Sequence, residues 1–194
     1  MNVNHSRSAA YLVKMLRIVN VVATFSLNVN FSNRDLRTLT YSMANVIYNP
    51  SRFNGVILRM RNPQATANIF PKGKVTLTGC KNEAELKISA KKVMRYVRRA
   101  GFNARIKKLA IQNVVGTVNI NYPLKLTDLA SIFESSKVQY EPELFPALLW
   151  KHNNIRMVIF HTGKINLMGG TSKMEIEEAY EYITSALELF KVLS

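Results

Sequence analysis

One cysteine, one tryptophan and three histidines stand among 194 residues, and only 12 side chains are acidic. The lone Cys80 excludes an internal disulfide framework and fits a reducing compartment. It reads as a small residue packed after a strand rather than as a nucleophile. His5, His152 and His161 have no metal-ligand spacing, and the glycines form no phosphate-cradling loop. No apolar run approaches the roughly 20 residues that span a bilayer, and residues 1–10 lack the apolar stretch of a signal peptide. The expectation is a soluble intracellular chain with a flexible segment at residues 1–11. Nothing here supports an enzyme: no catalytic residues, no metal set, no cofactor motif and no small-molecule substrate site emerge.

What the chain has is positive charge. With 27 Lys and Arg it carries a formal net charge of +15, which favours an anionic partner, nucleic acid above all. The charge is uneven. Residues 1–101 hold 17 basic and 3 acidic side chains, while residues 102–194 hold 10 and 9.

The chain also repeats itself at a spacing of roughly 90 residues, an internal similarity that takes precedence over other signals. Tyr48-Asn49-Pro50-Ser51-Arg52-Phe53 returns as Tyr140-Glu141-Pro142-Glu143-Leu144-Phe145. Ile69-Phe70, Gly73-Lys74 and Leu77-x-Gly79 return as Ile159-Phe160, Gly163-Lys164 and Leu167-x-Gly169. Asn20-Val21-Val22 returns as Asn113-Val114-Val115. The symmetry alone implies a duplicated α/β module, with repeats at residues 12–102 and 103–194 joined in one domain.

Each repeat reads as a long strand, a short helix, three further strands and a long helix. The strands are expected at 12–27, 54–61, 66–70 and 74–78, then at 106–120, 147–151, 155–160 and 164–168. Asn33 is expected to cap the first short helix, and Thr127 or Asp128 to start the second, which carries Leu129, Ile132 and Phe133. Glu83 to Ala100 has the firmest helical period, with Gly101 past its end and Lys87, Lys91, Arg95 and Arg98 on its outer face. That basic face is either solvated or a docking surface. The last helix, 174–193, turns Ile176, Ala179, Ile183, Leu187 and Phe190 inward and an acidic, solvated face outward.

Alternation in the closing hairpins splits their side chains into two sets. Ala67, Ile69, Val75 and Leu77 share one face, as do Met157, Ile159, Ile165 and Leu167. The other face carries Asn68, Phe70, Lys74, Thr76 and Thr78, and in the second repeat Val158, Phe160, Lys164, Asn166 and Met168. Helices cover the apolar set. Phe70 and Phe160 are then aromatics on a mixed polar face, the mark of a binding surface.

These residues resemble the conserved core of the TATA-box-binding protein family over about residues 16–190. Tyr140-Glu141-Pro142-Glu143-Leu144-Phe145-Pro146 carries the resemblance most specifically, supported by Tyr48 to Phe53, Arg59 to Pro63 and Ile111 to Gly116. The resemblance implies an α+β fold: a saddle-shaped, pseudo-two-fold, ten-stranded antiparallel sheet with four helices on its convex face. It implies a nuclear transcription initiation factor that binds and bends double-stranded, A·T-rich DNA through the minor groove. Phe53 with Phe70, and Phe145 with Phe160, would wedge into base steps; such wedging is a known property of this family. Arg52, Arg59, Lys74, Lys151 and Lys164 would meet phosphates, and Asn20, Val22, Asn113 and Val115 the floor of the groove. Glu141, Glu143 and Leu144 would meet a transcription factor IIB-like protein. Lys87, Lys91, Arg95 and Arg98 would meet regulators, including a factor IIA-like protein. The alternative is a related scaffold that barely reads DNA sequence.

The chain departs from the family at four open-face positions. Asn68 stands where Leu is usual, Thr76 where Val is, and Asn166 and Met168 where Val and Thr are, while Thr78 is retained. Asn166 offers an acceptor as well as donors, and Met168 offers no donor. The expectation is an asymmetric site, A·T-selective under the first repeat and relaxed under the second.

Overall fold

A computed structural model of the chain describes residues 16–133 and 136–191. The expected flexible segment at 1–11, the strand start at 12–15, His5 and the helix end at Leu193 lie outside them. Strands β1 (Arg17–Ser26), β2 (Val46–Tyr48), β3 (Val56–Arg61), β4 (Gln64–Ile69) and β5 (Lys74–Cys80) come from the first repeat. Strands β6 (Lys107–Asn119), β7 (Val138–Gln139), β8 (Ala147–His152), β9 (Ile155–Phe160) and β10 (Lys164–Gly170) come from the second. The four helices among the described residues are α1 (Asn33–Ser42), α2 (Glu83–Arg99), α3 (Leu126–Ser131) and α4 (Lys173–Leu189). The strands form a ten-stranded antiparallel sheet in the order β2-β3-β4-β5-β1-β6-β10-β9-β8-β7.

Two compact units divide the chain, and their boundaries cut through β1 and β6. Residues 19–112 form the N-terminal unit; residues 113–191 with 16–18 form the C-terminal unit. In the N-terminal unit the strands alternate buried and half-buried residues, so one side packs and the other stays open. Val21, Ala23, Phe25, Leu58, Ala67, Ile69, Val75 and Leu77 join Leu36, Leu39, Leu86, Val93 and Val97 of the helices in the core. Each large apolar side chain so buried stabilises the fold by about 1.5–3 kcal/mol.

Helix α1 is capped by Ser32, one residue before the expected Asn33 cap. Ser32 and Asp35 form a reciprocal capping box, with Asp35 N–H donating to Ser32 Oγ at 3.2 Å and Ser32 N–H to Asp35 Oδ2 at 2.8 Å. The Ser32 N–H, joined by the Ser32 hydroxyl donating to Asp35 Oδ2 at 2.7 Å, holds the Asp35 carboxyl below its usual range. Helix α2 is capped by Asn82, which accepts from Glu85 N–H at 2.8 Å. It ends as expected at Gly101, whose φ of +95° lets Gly101 N–H reach Arg98 O and Phe102 N–H reach Val97 O.

The C-terminal unit repeats the plan. Leu148, Trp150, Met157, Ile159, Ile165 and Leu167 pack with Leu129 of α3 and Ile176, Tyr180, Ile183 and Leu187 of α4. Gly116 permits close approach here: a Cβ at that position would stand 2.9 Å from Ile176 Cγ2 and 3.1 Å from Leu16 Cδ1. Helix α3 begins at Leu126 without a side-chain cap, earlier than Thr127 or Asp128. Ile132, expected on this helix, is its half-exposed C-cap because the helix has already ended at Ser131. Phe133 instead stacks on Trp150, with centroids 4.6 Å apart. Phe190 is the half-buried C-cap of α4 rather than a core residue. On its acidic face, Glu175 accepts from Thr171 and from the Ser172 cap, so it serves helix initiation.

Candidate nucleic-acid interface

The residues left on the open face are cross-strand neighbours. In the N-terminal unit, Ile57, Asn68, Thr76 and Thr24 form one row across β3, β4, β5 and β1. Arg59, Thr66 and Thr78 form the next. In the C-terminal unit the matching rows are Leu149, Val158, Asn166 and Thr117, then Lys151, Arg156, Met168 and Val115. No Asp or Glu stands in any of the ten strands, against nine Lys and Arg. Arg59, Lys74, Lys151, Arg156 and Lys164 are exposed on the open side. A face of this kind attracts a polyanion and repels acidic surfaces.

Each unit ends its open face with a pair of phenylalanines. Phe53 and Phe70 have ring centroids 5.5 Å apart, and Phe145 and Phe160 have them 6.2 Å apart. The first ring of each pair is aimed by one turn of chain. Asn49 O accepts from Arg52 N–H and Phe53 N–H, and Glu141 O accepts from Leu144 N–H and Phe145 N–H, all at 2.9–3.1 Å. The second ring is set by a tight hairpin in which Gly73 N–H donates to Phe70 O and Gly163 N–H to Phe160 O. Gly73 and Gly163 hold φ of +71° and +86°, and a Cβ there would lie 2.0 Å from Val29 O or 2.4 Å from Tyr122 O. A hollow lined by Phe53, Phe70, Lys74 and Thr76 opens beside the first pair. Rings that stay half-buried or exposed have apolar surface left to insert elsewhere.

Two asparagines occupy equivalent places and are oriented by the same device. Asn20 Oδ1 accepts from Gly79 N–H, and Asn113 Oδ1 from Gly169 N–H, both at 2.8 Å. Gly79 and Gly169 sit at irregularities in the β5 and β10 ladders with φ of +94° and +111°, which turns each N–H out of the ladder. With its oxygen committed, each amide presents only its NH2 donors to the open face. Val22 and Val115 stand two residues on, half-buried on the same side.

Asn166 differs from the expectation in a way that matters. Its Oδ1 accepts from the Thr117 hydroxyl at 3.0 Å, so it too presents donors. Thr117 thereby engages the acceptor on which half of the relaxed reading expected under the second repeat rested; the other half, Met168 without a donor, stands unchanged. Thr117 and Arg156 were not among the residues singled out from sequence: Thr117 matches Thr24 in the first repeat but carries no recurring motif, and Arg156 has Thr66 in its place there.

The residues expected to meet protein partners lie elsewhere. Glu141, Glu143 and Leu144 are exposed in the loop before Phe145, with Leu144 80% accessible. Gln139 Nε2 donates to Glu141 Oε1 at 3.0 Å. Lys87, Lys91, Arg95 and Arg98 share the solvent side of α2. Lys87 pairs with Glu83 at 2.7 Å, and Arg98 Nε donates to Ala104 O at 2.8 Å, so the fold already engages both ends of this row. Cys80 is fully buried beside Ser89, and burial raises its thiol pKa, consistent with packing rather than reactivity.

The family described as "Transcription factor TFIID (or TATA-binding protein, TBP)" matches residues 15–100 and again 108–190. The chain belongs to the TATA-binding protein family. The family match falls twice, once on each repeat, and the family is not enzymatic. Among relatives, the chain is 40% identical over 177 residues to mouse TATA box-binding protein-like 2, covering 90% of this chain and 50% of that protein. It is 38% identical to the TATA-box-binding protein of Candida albicans, covering 89% and 71%. It is 37% identical to the Drosophila melanogaster TBP-related factor, covering 91% and 78%. The chain thus spans about half the length of the mouse relative. The structure of Methanococcus jannaschii TBP superposes with a TM-score of 0.76 at 29% identity, covering 90% of this chain and 98% of that one.

Proposed function

We propose that this chain is a nuclear transcription initiation factor that binds the minor groove of promoter DNA along its open sheet face and bends it. The observation that carries the reading is the doubled constellation: a Phe pair, an oriented Asn donor and a basic, acid-free strand surface in each unit. The chemistry fits the minor groove closely. A·T pairs offer only acceptors there, whereas G·C adds an amino donor. Asn20 and Asn113 bring donors alone, so A·T pairs satisfy them and a guanine amino group does not. The Phe pairs bury apolar surface when a base step opens, which offsets part of the few kcal/mol that unstacking costs. Arg52, Arg59, Lys74, Lys151 and Lys164 neutralise phosphates and give affinity without reading sequence. The exposed Glu141, Glu143 and Leu144 suit a factor IIB-like partner, and the α2 cations a factor IIA-like regulator.

A second reading, a family scaffold that barely discriminates DNA sequence, draws on the substituted open-face positions Asn68, Thr76, Asn166 and Met168. Titration of A·T-rich and G·C-rich duplexes across a salt series separates the two. If five phosphates are neutralised, log K falls with log salt at a slope of about −4.5. The proposal expects that slope together with A·T selection of tenfold or more. Equal affinity for both duplexes favours the scaffold, and a flat salt dependence removes the phosphate-tracking surface.

A further inference from the structure

The two units differ at one open-face position where sequence identity is silent. Arg156 lies four residues before Phe160 on β9, and Thr66 lies four residues before Phe70 on β4. Both sit in register between a basic residue on the outer strand and the last open-face residue of the inner one: Arg59–Thr66–Thr78 in one unit, Lys151–Arg156–Met168 in the other. The C-terminal row therefore holds two cations directly opposite one another, an arrangement that costs stability unless an anionic or acceptor-rich ligand meets it. Neither cation has a carboxylate partner among the described residues.

Resting on the minor-groove reading above, we propose that Arg156 is a base-reading residue, selecting A·T over G·C at a base pair beneath the C-terminal unit. Its place in the sheet separates it from the phosphate contacts. Lys151 is on β8, next to the edge strand, whereas Arg156 is one strand further in. It stands two strand spacings, about 10 Å, from β6 and its Asn113 and Val115. Along β9 it is about 13 Å from the Phe160 wedge. The guanidinium carries five donors and no acceptor. It can pair with the acceptors of an A·T edge, but meets the guanine amino group donor to donor. Met168 beside it supplies no donor, so discrimination in this row falls to Arg156. The N-terminal row has Thr66 and Thr78 in those places, hydroxyls that both donate and accept. The geometry thus reverses the sequence-based asymmetry: the second repeat reads its row more strictly than the first.

The test scans a bound A·T-rich duplex with single A·T→G·C substitutions, each repeated as inosine·C, which lacks the minor-groove amino group. The unmodified protein, Arg156→Thr and Arg156→Lys are compared. Because Arg156 is exposed, Thr occupies the matching place in the other unit and the change relieves the repulsion with Lys151, Arg156→Thr is expected to melt at or slightly above the parent. For the unmodified protein, one base pair under the C-terminal unit should lose about 5- to 150-fold on G·C substitution, with inosine·C restoring binding. In Arg156→Thr that loss should shrink toward the twofold range while discrimination under the N-terminal unit is unchanged. Arg156→Lys, keeping charge without the planar fork, should fall between. If Arg156→Thr weakens every duplex equally, lowers the salt slope by about one unit and leaves discrimination intact, Arg156 is a phosphate contact and the proposal fails alone. Absence of DNA binding by the unmodified protein would overturn the underlying reading as well.

Discussion

Replacing Asn20 by Asp separates what holds the sheet from what, on the proposed function, reads DNA. The carboxylate is nearly isosteric with the amide, so an oxygen still accepts from Gly79 N–H, now with a charge-assisted bond. Both donors facing the groove are gone, and a negative charge stands where base acceptors arrive. An unpaired acceptor costs about 1–3 kcal/mol, a loss of about 5- to 150-fold in affinity before any charge repulsion. Asn20→Asp should therefore melt within a degree or two of the parent and lose most A·T duplex binding by fluorescence anisotropy. Asn20→Ala removes the Gly79 partner too and should cost about 1 kcal/mol of folding stability. Asn113→Ala should cost less, because Gly169 is exposed and water can replace the lost bond. Parent-like DNA affinity in Asn20→Asp would refute the donor argument. A melting temperature lower for Asn20→Asp than for Asn20→Ala would refute the Gly79 clamp.

Other expectations follow from the exposed loop and the helix caps. Reversing Glu141 and Glu143 to Lys should abolish capture of a factor IIB-like protein on pull-down while DNA affinity holds or rises; unchanged capture would reduce the loop to a support for Phe145. Asp35 and Glu175 are both held below their ordinary values of 3.8 and 4.5, chiefly by hydrogen bonds at helix starts. A carboxyl depressed in the folded state stabilises it above the unfolded pKa and loses that contribution as pH falls through the folded one. Thermal melts should thus fall as pH drops below about 4.5, and Asp35→Asn with Glu175→Gln should flatten that decline.

Much of this was legible in the sequence, for identifiable reasons. Strands β3, β4 and β9 alternate throughout, and β5 and β10 do so up to Gly79 and Gly169, so the covered and open faces of both closing hairpins were fixed by period alone, and the recurrence of Phe70 and Phe160 marked them as surface aromatics. The edge strands Val46–Tyr48 and Val138–Gln139 are too short to carry a period; only the family resemblance implied ten strands. Helix α3 lacks a capping side chain, and its start was misplaced accordingly. Gly79 and Gly169 were visible as a repeated motif, but their bonds to Asn20 and Asn113 cross 59 and 56 residues. No local pattern encodes such a contact. Arg156 escaped because the repeats were matched by identity, whereas its meaning lies in a position that the two repeats fill differently. The signal was present: four residues before each hairpin Phe.

The most direct measurement is of the bend itself. Energy transfer between dyes at the two ends of a short A·T-rich duplex reports their approach when the protein binds. The unmodified chain should raise transfer sharply. Phe53→Ala with Phe70→Ala, and Phe145→Ala with Phe160→Ala, should each abolish most of that rise. Because these rings are half-buried or exposed and pack mainly on each other, each double mutant should keep its fold, losing less than the 3–5 kcal/mol typical of a single core Phe→Ala. Binding without a rise in transfer, or double mutants that unfold, would contradict the account: the phenylalanines would then be core residues and the open face no wedge into DNA.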